Sequence, residues 1–431
     1  MDKTFTFKVD KIAHDGAAEG THQGSVVRVH GMLPGESGII DTHRKKGISI
    51  GELKELITAS PSRKNPDELH FLACSPWQVM EYPLQVSLKH DMLKDLFHYY
   101  EDAPPVAFTS ARQFYGYRTK VEFSFCDRSG DAEIPLSLAF HVRGGGNRRI
   151  PLDKGCALAS AAMNRVALEI CARLRESGYA ATDLKTLIVR ESKSEGKILA
   201  MLFAKKKEVM EFSIADIPEL SGFKVFYSTE KSPASVPTKL LWERGSDVLS
   251  ERIGGCNVAY SWDSFFQNNI PVFEDAMEAI NRAIPKNSSV VELYAGVGTI
   301  GLLLAKNARD VRGVEIVANA VEAANNNARS NGIVNYSATC LAAEEIDGAL
   351  IGGVDVLVLD PPRAGLHPKL IKQIIDKQPP TIVYLSCNPE TQARDYSTLS
   401  ALYKIDTITG FDFYPQTPHC ESLITLSLRP K

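Results

Sequence analysis

From Phe265 onward the chain repeats one pattern: a short, continuously apolar run, then a stretch with apolar residues at helical spacing. VFEDAMEAINRAI reads as a helix, VVELYA as a strand, TIGLLLAKN as a helix and VRGVEI as a strand. VANAVEAANNNARSNG follows as a helix, and VDVLVLD and TIVYLSC as two further strands. Near-continuous apolar strands are buried on both faces, and the helices between them carry the crossovers, so the pattern predicts an α/β fold on a doubly wound parallel sheet. Ligands on such sheets bind beyond the carboxyl ends of the strands, which makes the residues after each strand the ones to read for chemistry.

The first strand ends in VVELYAGVGTIG, where Gly296 and Gly298 allow a tight turn with backbone close to a ligand and a helix begins near Thr299. The second ends at Glu315, placed to accept both hydroxyls of an adenosine ribose. GVGTIG fits a dinucleotide fingerprint as well as an S-adenosylmethionine loop, so these two ends leave the cofactor open. The third end, VLVLDPPRAGL, narrows it. Asp360, Pro361, Pro362 and Arg363 form a rigid turn lacking backbone donors, a pattern characteristic of methyltransferases that act on nucleobases or similar planar groups. The fourth end is Cys387. A thiolate there can attack carbon 6 of a pyrimidine and make carbon 5 nucleophilic enough to take a methyl group. Carbon 5 must then lose its proton, and His419 and Glu421, spaced as on a strand, offer a base.

The other segments fix organisation more than chemistry. The 431 residues, 44% hydrophobic and 23% charged, suit two or three globular domains, and a net charge of −3 confines any nucleic-acid surface to a local patch. The start, MDKTFTFKVDK, has no apolar signal core, so a cytoplasmic location is expected, with no membrane partner. Eight cysteines without paired spacing read as small buried hydrophobes by default. Residues 1–60 have the short strands and Gly-rich turns of an OB-like β-barrel, with a basic run His43, Arg44, Lys45 and Lys46. The stretch from DGAAEG to LPGE resembles the TRAM domain, an RNA-binding barrel appended to RNA-modifying enzymes. A linker follows at Ile57 to Glu68. Residues 61–255 then form an inserted α+β central domain, with an amphipathic helix at 83–100 that can pack on the catalytic domain, assigned to 256–431.

In order along the chain, SWDSFFQNN, VVELYAGVGTIG, GVEIVANAVEAANNNARSNGI, LVLDPPRAGL, LSCNPET and YPQTPHCESLITL resemble the RNA uridine-5 methyltransferases. FYGYRTKVEFSF is similar to the family's central RNA-contact motif. The resemblance implies a Rossmann-like S-adenosylmethionine-dependent domain, with Cys387 as nucleophile and Glu421 as the base. It also implies cofactor contacts at Gln267, Tyr294, Gly296, Gly298, Thr299, Glu315 and Asp360; Thr299 stands where the family often has Asn. The TRAM-like barrel points to 23S ribosomal RNA as substrate and the chain is expected to act as a monomer. Methylation of tRNA, methylation of an exocyclic nucleobase amine, and a non-catalytic RNA-binding factor are the alternatives. Many TRAM-bearing members hold a [4Fe-4S] cluster on four cysteines. Here only Cys74 and Cys156 match them, so the expectation is no iron-sulfur cluster and no metal, with both as buried thiols or, failing that, as ligands completed by other groups.

Overall fold

The computed structural model describes residues 4–45, 47–127, 136–143, 148–213 and 215–430; Lys46 of the basic run lies outside them, as does the side chain of Lys45. In the C-terminal part the doubly wound sheet is present. Five parallel strands lie in the order Tyr336–Cys340, Asp310–Glu315, Ser289–Leu293, Val356–Leu359 and Thr381–Ser386. Three more extend it: Glu421–Leu428, Tyr403–Phe411 and Val106–Thr109. Glu421–Leu428 is antiparallel to both of its neighbours, so the sheet is mixed where the sequence pattern implied a wholly parallel one. The cause is the connection 412–420, too short for the crossover that parallel neighbours need.

Alternation along the central strands builds two cores. Val290, Val356 and Val358 face a layer containing Phe273 and Ile300, while Val291, Leu357 and Leu359 face a layer containing Leu370 and Ile374. Chain growth reverses direction between Ser289–Leu293 and Val356–Leu359, so the switch-point crevice opens at Tyr294 and Asp360.

The N-terminal unit is a six-stranded sheet around Phe7, Val9, Val27, Val29 and Ile40. Asp10 N donates to Glu19 O at 2.9 Å and ties the end of the first strand, Thr4–Lys8, to Ala18–His22, curling the sheet. Fully buried Glu36 pairs with Arg63 at 2.6 Å, which anchors the segment read as a linker. That segment also begins inside the strand Ile48–Thr58. The central seven-stranded sheet runs from Arg149–Pro151 to Lys239–Gly245, with helix Ala161–Glu176 laying Met163, Val166 and Ile170 against Phe123 and Leu187. The boundary drawn at 255–256 falls in the turn of the hairpin Val248–Ile253/Cys256–Ser261. Both strands of that hairpin bury side chains, Leu249 and Val258 among them, in the core that holds Phe273.

Helix Tyr82–Phe97 and strand Val106–Thr109 precede the central sheet in sequence yet join the C-terminal one. The helix buries Gln85, Lys89, Leu93 and Phe97, a stripe that is half polar. Lys89 Nζ donates to Asp412 Oδ1 at 2.6 Å and to Tyr414 O at 3.1 Å, with both side chains of the ion pair fully buried. Tyr82 Oη donates to the other Asp412 oxygen at 3.0 Å. Gln85 and Gln416 exchange two hydrogen bonds of 2.9 Å. Removing one member of a buried pair leaves the other charge uncompensated. Lys89→Met is therefore expected to cost about 3–5 kcal/mol in chemical denaturation. Lys94→Met, on the exposed side of the same helix, is expected to cost less than about 1 kcal/mol.

Candidate active site

The register of the sheet sets the site. Leu359 pairs with Leu293 on one side and Tyr384 on the other, so these strands end at one level and deliver Tyr294 and Asp360 side by side. Ser386 pairs with Ser422 in the antiparallel ladder, and the next step brings Cys387 opposite Glu421. The sequence reading placed His419 and Glu421 on one strand. In the structure the strand starts at Glu421, and His419 lies in the turn before it, its N–H donating to Thr417 Oγ1 at 3.3 Å.

At the glycine loop, Tyr294 takes a φ of 66° and Gly296 one of 54°, the sharp turn that the motif implies. A Cβ at Gly296 would meet open space, so the backbone there faces a cradle. Glu315 accepts from Gly296 N and Val317 N, each at 2.9 Å, one bond to each oxygen. These bonds hold the carboxylate at the loop and leave further lone pairs for a diol. Gly298, with φ 83°, caps helix Thr299–Leu304, whose first residue is buried Thr299. Buried Gln267 sits in a segment bonded on two sides: Thr119 Oγ1 donates to Gln267 O at 2.7 Å and Asn269 Nδ2 to Phe413 O at 3.2 Å.

The loops around Cys387 bond to one another. Asn388 Nδ2 and Thr391 Oγ1 both donate to Arg363 O, at 3.0 and 3.3 Å, and join the Cys387 loop to the Asp-Pro-Pro-Arg loop. Helix Pro389–Leu399 begins with its proline in the first turn, which fixes where the strand must end. Tyr414 Oη donates to Glu421 Oε1 at 3.2 Å, and Arg363 Nη2 lies 3.3 Å from His419 Nδ1. A cavity of about 230 Å³ opens here. Cys387, Arg363 and His419 form one wall, and His14 and Asp15 from the N-terminal unit another. A second cleft, of about 680 Å³, is lined by Tyr294, Pro362 and Leu366; Tyr294 is the one predicted cofactor residue on its wall.

Burial and like charges dominate the electrostatics. Burial, reinforced by Asp360, pushes the Glu421 carboxyl up to about 8, and burial alone pushes Asp360 to about 7. Burial, then Glu421 and Asp360, raise the Cys387 thiol to about 11, while Arg363 pulls the other way. His419 is driven down to about 3 by burial and by Arg363, so it is neutral at ordinary pH. Sequence reasoning passed over Tyr414, Arg118 and Glu292. Tyr414 lies in the quoted YPQTPHCE motif, which could have flagged it. Arg118 is half-buried, its Nε enclosed and unpartnered among the described residues, and only the fold brings it near Tyr414.

Glu292 is 2% exposed, and burial lifts its carboxyl to about 8. A carboxyl whose folded pKa exceeds its unfolded one binds more protons in the folded state, so its stabilisation is complete below the unfolded value and lost as pH rises through the folded one. For Glu292 that window runs from 4.5 to about 8. Thermal unfolding is expected to show stability falling across this window. Glu292→Gln should flatten the fall, with a gain over the parent protein on the order of a few kcal/mol at the upper end.

The model of the family described as tRNA (Uracil-5-)-methyltransferase matches residues 81–429. An uncharacterized RNA methyltransferase of Nitratidesulfovibrio vulgaris is 30% identical over 98% of this chain and 96% of its own length. One from Halalkalibacterium halodurans is 29% identical over 98% and 96%. Among solved structures, the Pyrococcus abyssi tRNA (uracil-54, C5)-methyltransferase in complex with S-adenosyl-L-homocysteine superposes with a TM-score of 0.79. It is 23% identical, over 98% of this chain and all of that one, a likeness of fold that includes the N-terminal β unit. With four-fifths of its length matched by the family model, on top of the strand-end residues just described, the chain belongs to the tRNA (uracil-5-)-methyltransferase family.

Proposed function

We propose that the protein methylates carbon 5 of a uridine in structured RNA, with S-adenosylmethionine as methyl donor and 23S ribosomal RNA as the first target to examine. The observation that carries this reading is the ladder register that sets Cys387 opposite Glu421, beside Arg363 and Asp360. An exocyclic-amine methyltransferase has no use for that pair. The open cradle at Gly296 and the oriented Glu315 carboxylate fit an adenosine-bearing cofactor, and the P. abyssi protein of like fold was solved with S-adenosyl-L-homocysteine. Gln267, Tyr294, Gly298, Thr299 and Asp360 complete the proposed binding set. S-adenosylmethionine, when bound, supplies the methyl group at the switch-point crevice.

The remaining steps fall to this chain's residues. The Cys387 thiol loses its proton to solvent, favoured by the Arg363 cation, and the resulting thiolate bonds to carbon 6 of the base. The ring electrons move toward carbon 5, which takes the methyl group. Glu421, deprotonated and held by Tyr414, removes the carbon 5 proton. The electrons of that C–H bond restore the ring double bond as the carbon–sulfur bond breaks, returning the thiolate. Because Glu421 acts in its charged form, turnover should rise with pH through about 8. The N-terminal β unit does not select ribosomal RNA by itself, because a tRNA enzyme of like fold carries one too.

RNA containing 5-fluorouridine distinguishes the mechanisms, since fluorine cannot leave as a proton. The parent protein is expected to form a stable covalent adduct with it and Cys387→Ala none. Glu421→Gln should accumulate a methylated adduct on ordinary RNA, with turnover reduced by about 100-fold or more. An adduct that survives Cys387→Ala would remove the proposed nucleophile. Mapping 5-methyluridine in ribosomal and transfer RNA from cells lacking the protein assigns the substrate.

A further inference from the structure

Outside the active site, Glu68, His70, Cys74 and Cys156 bring one carboxylate oxygen, one ring nitrogen and two sulfurs within 4.8 Å of one another. The cluster is enclosed. Glu68 and His70 side chains are 12% and 10% exposed, and Cys156 is 2% exposed. His70 Nε2 lies 3.1 Å from Glu68 Oε1, yet among the described residues it is a buried nitrogen without a well-formed hydrogen bond. We infer that these four residues bind a single zinc ion.

Donor chemistry and size select the ion. Zinc in closed structural sites takes four ligands in a tetrahedron from thiolate, imidazole and carboxylate, at about 2.0–2.3 Å, which sets ligand atoms roughly 3.3–3.8 Å apart. The four groups, within 4.8 Å of one another, need to draw in by about 1.5 Å at most. A [4Fe-4S] cubane does not fit. It interposes eight atoms among four thiolates, and here two of the four donors are not sulfur and the space holds one ion.

The surroundings are built as a support. Gln78 Nε2 donates to Glu68 Oε2 at 2.9 Å and Ala157 N to Glu68 Oε1 at 2.6 Å. Asn164 clamps the Cys156 backbone, accepting from its N–H and donating to its carbonyl, both at 2.9 Å. Gly155, with φ +83°, permits that clamp, because a Cβ there would overlap the Asn164 side chain. Partners that orient ligands in this way are the usual second layer of a metal site.

Three ligands lie in the segment just after the N-terminal unit and the fourth in the central domain, so the ion staples the two together. It also braces the active site at one remove. Ala157 O and Leu158 O accept from Gly116 N and Arg118 N, at 2.8 and 3.1 Å, and the intervening Tyr117 donates to Pro415 O at 3.1 Å.

The test is metal content and spectroscopy of the full chain. Protein prepared with Zn²⁺ is expected to keep one equivalent through dialysis. With Co²⁺ substituted it should show tetrahedral visible bands and a thiolate-to-cobalt charge-transfer band. Cys156→Ser should abolish that charge-transfer intensity or reduce it by about half. Gln78→Met, which removes a donor to Glu68 and leaves all four ligand residues in place, should weaken Zn²⁺ binding about 10–100-fold and keeps the test open if Cys156→Ser does not fold. The inference is overturned if the full chain binds neither Zn²⁺ nor Co²⁺, if binding ignores both substitutions, or if anaerobically prepared protein carries iron with inorganic sulfide at this site.

Discussion

The buried ion pair between Lys89 and Asp412 is the contact on which the arrangement of the site rests. Two charges leave water only where further hydrogen bonds satisfy them, and here Tyr82 and the Tyr414 carbonyl complete the set. The pair joins a helix from early in the chain to the connection 412–420, which carries Tyr414 and His419 and leads into Glu421. Gly410 lets the helix come close, since a Cβ there would overlap Leu93 and Phe108. The loop that orients Glu421 is thus held by a segment more than three hundred residues away in sequence. This is why helix Tyr82–Phe97 presents a half-polar stripe in place of a clean apolar face.

Burial gives the proposed chemistry its character and costs stability above neutral pH. Glu292, Asp360 and Glu421 crowd the carboxyl edge of the sheet, and their carboxyls hold protons that exposed acids would have lost. Each proton that leaves as pH rises puts a charge where solvation is poor. The same crowding raises Cys387, so the free site stores a neutral thiol beside protonated acids, with Arg363 as the nearby cation. A negatively charged RNA backbone and a cationic methyl donor would both alter that balance. The protonation states of the free site are therefore a starting point for the reaction rather than its working state.

The parallel half of the C-terminal sheet was legible because its strands are buried on both faces and read as unbroken apolar runs. The added strands were not. Tyr403–Phe411 alternates with charged residues, and Val106–Thr109 is four residues long and separated from its sheet by the whole central domain. Cys387 and Glu421 could be named as nucleophile and base from the sequence, but that they face one another across a ladder needed the antiparallel register, which a parallel reading does not contain. Tyr414 and Arg118 carried no periodic signal. Arg118 follows FYGY, a stretch that resembles an RNA-contact motif, and only the fold shows that it lies against the site.

Sequence order hid the four-ligand cluster for a related reason. Reading Cys74 and Cys156 as buried thiols first, and as ligands completed by other groups only second, treats ligands as a count of cysteines, whereas a site is a count of donors in one place. Glu68 and His70 sit six and four residues before Cys74 along the chain, and one helical turn, Phe71–Cys74, folds them onto the sulfur. Cys156 arrives from eighty-two residues further on, held by Asn164. The loop that bears it also supplies the carbonyls to which Gly116 and Arg118 bond. Movement of that loop would therefore reach Tyr117 and its bond to Pro415, in the same connection that Lys89 and Asp412 pin from the other side. The segment before Glu421 is held from two directions, by a helix through a buried charge pair and by the central domain through Tyr117.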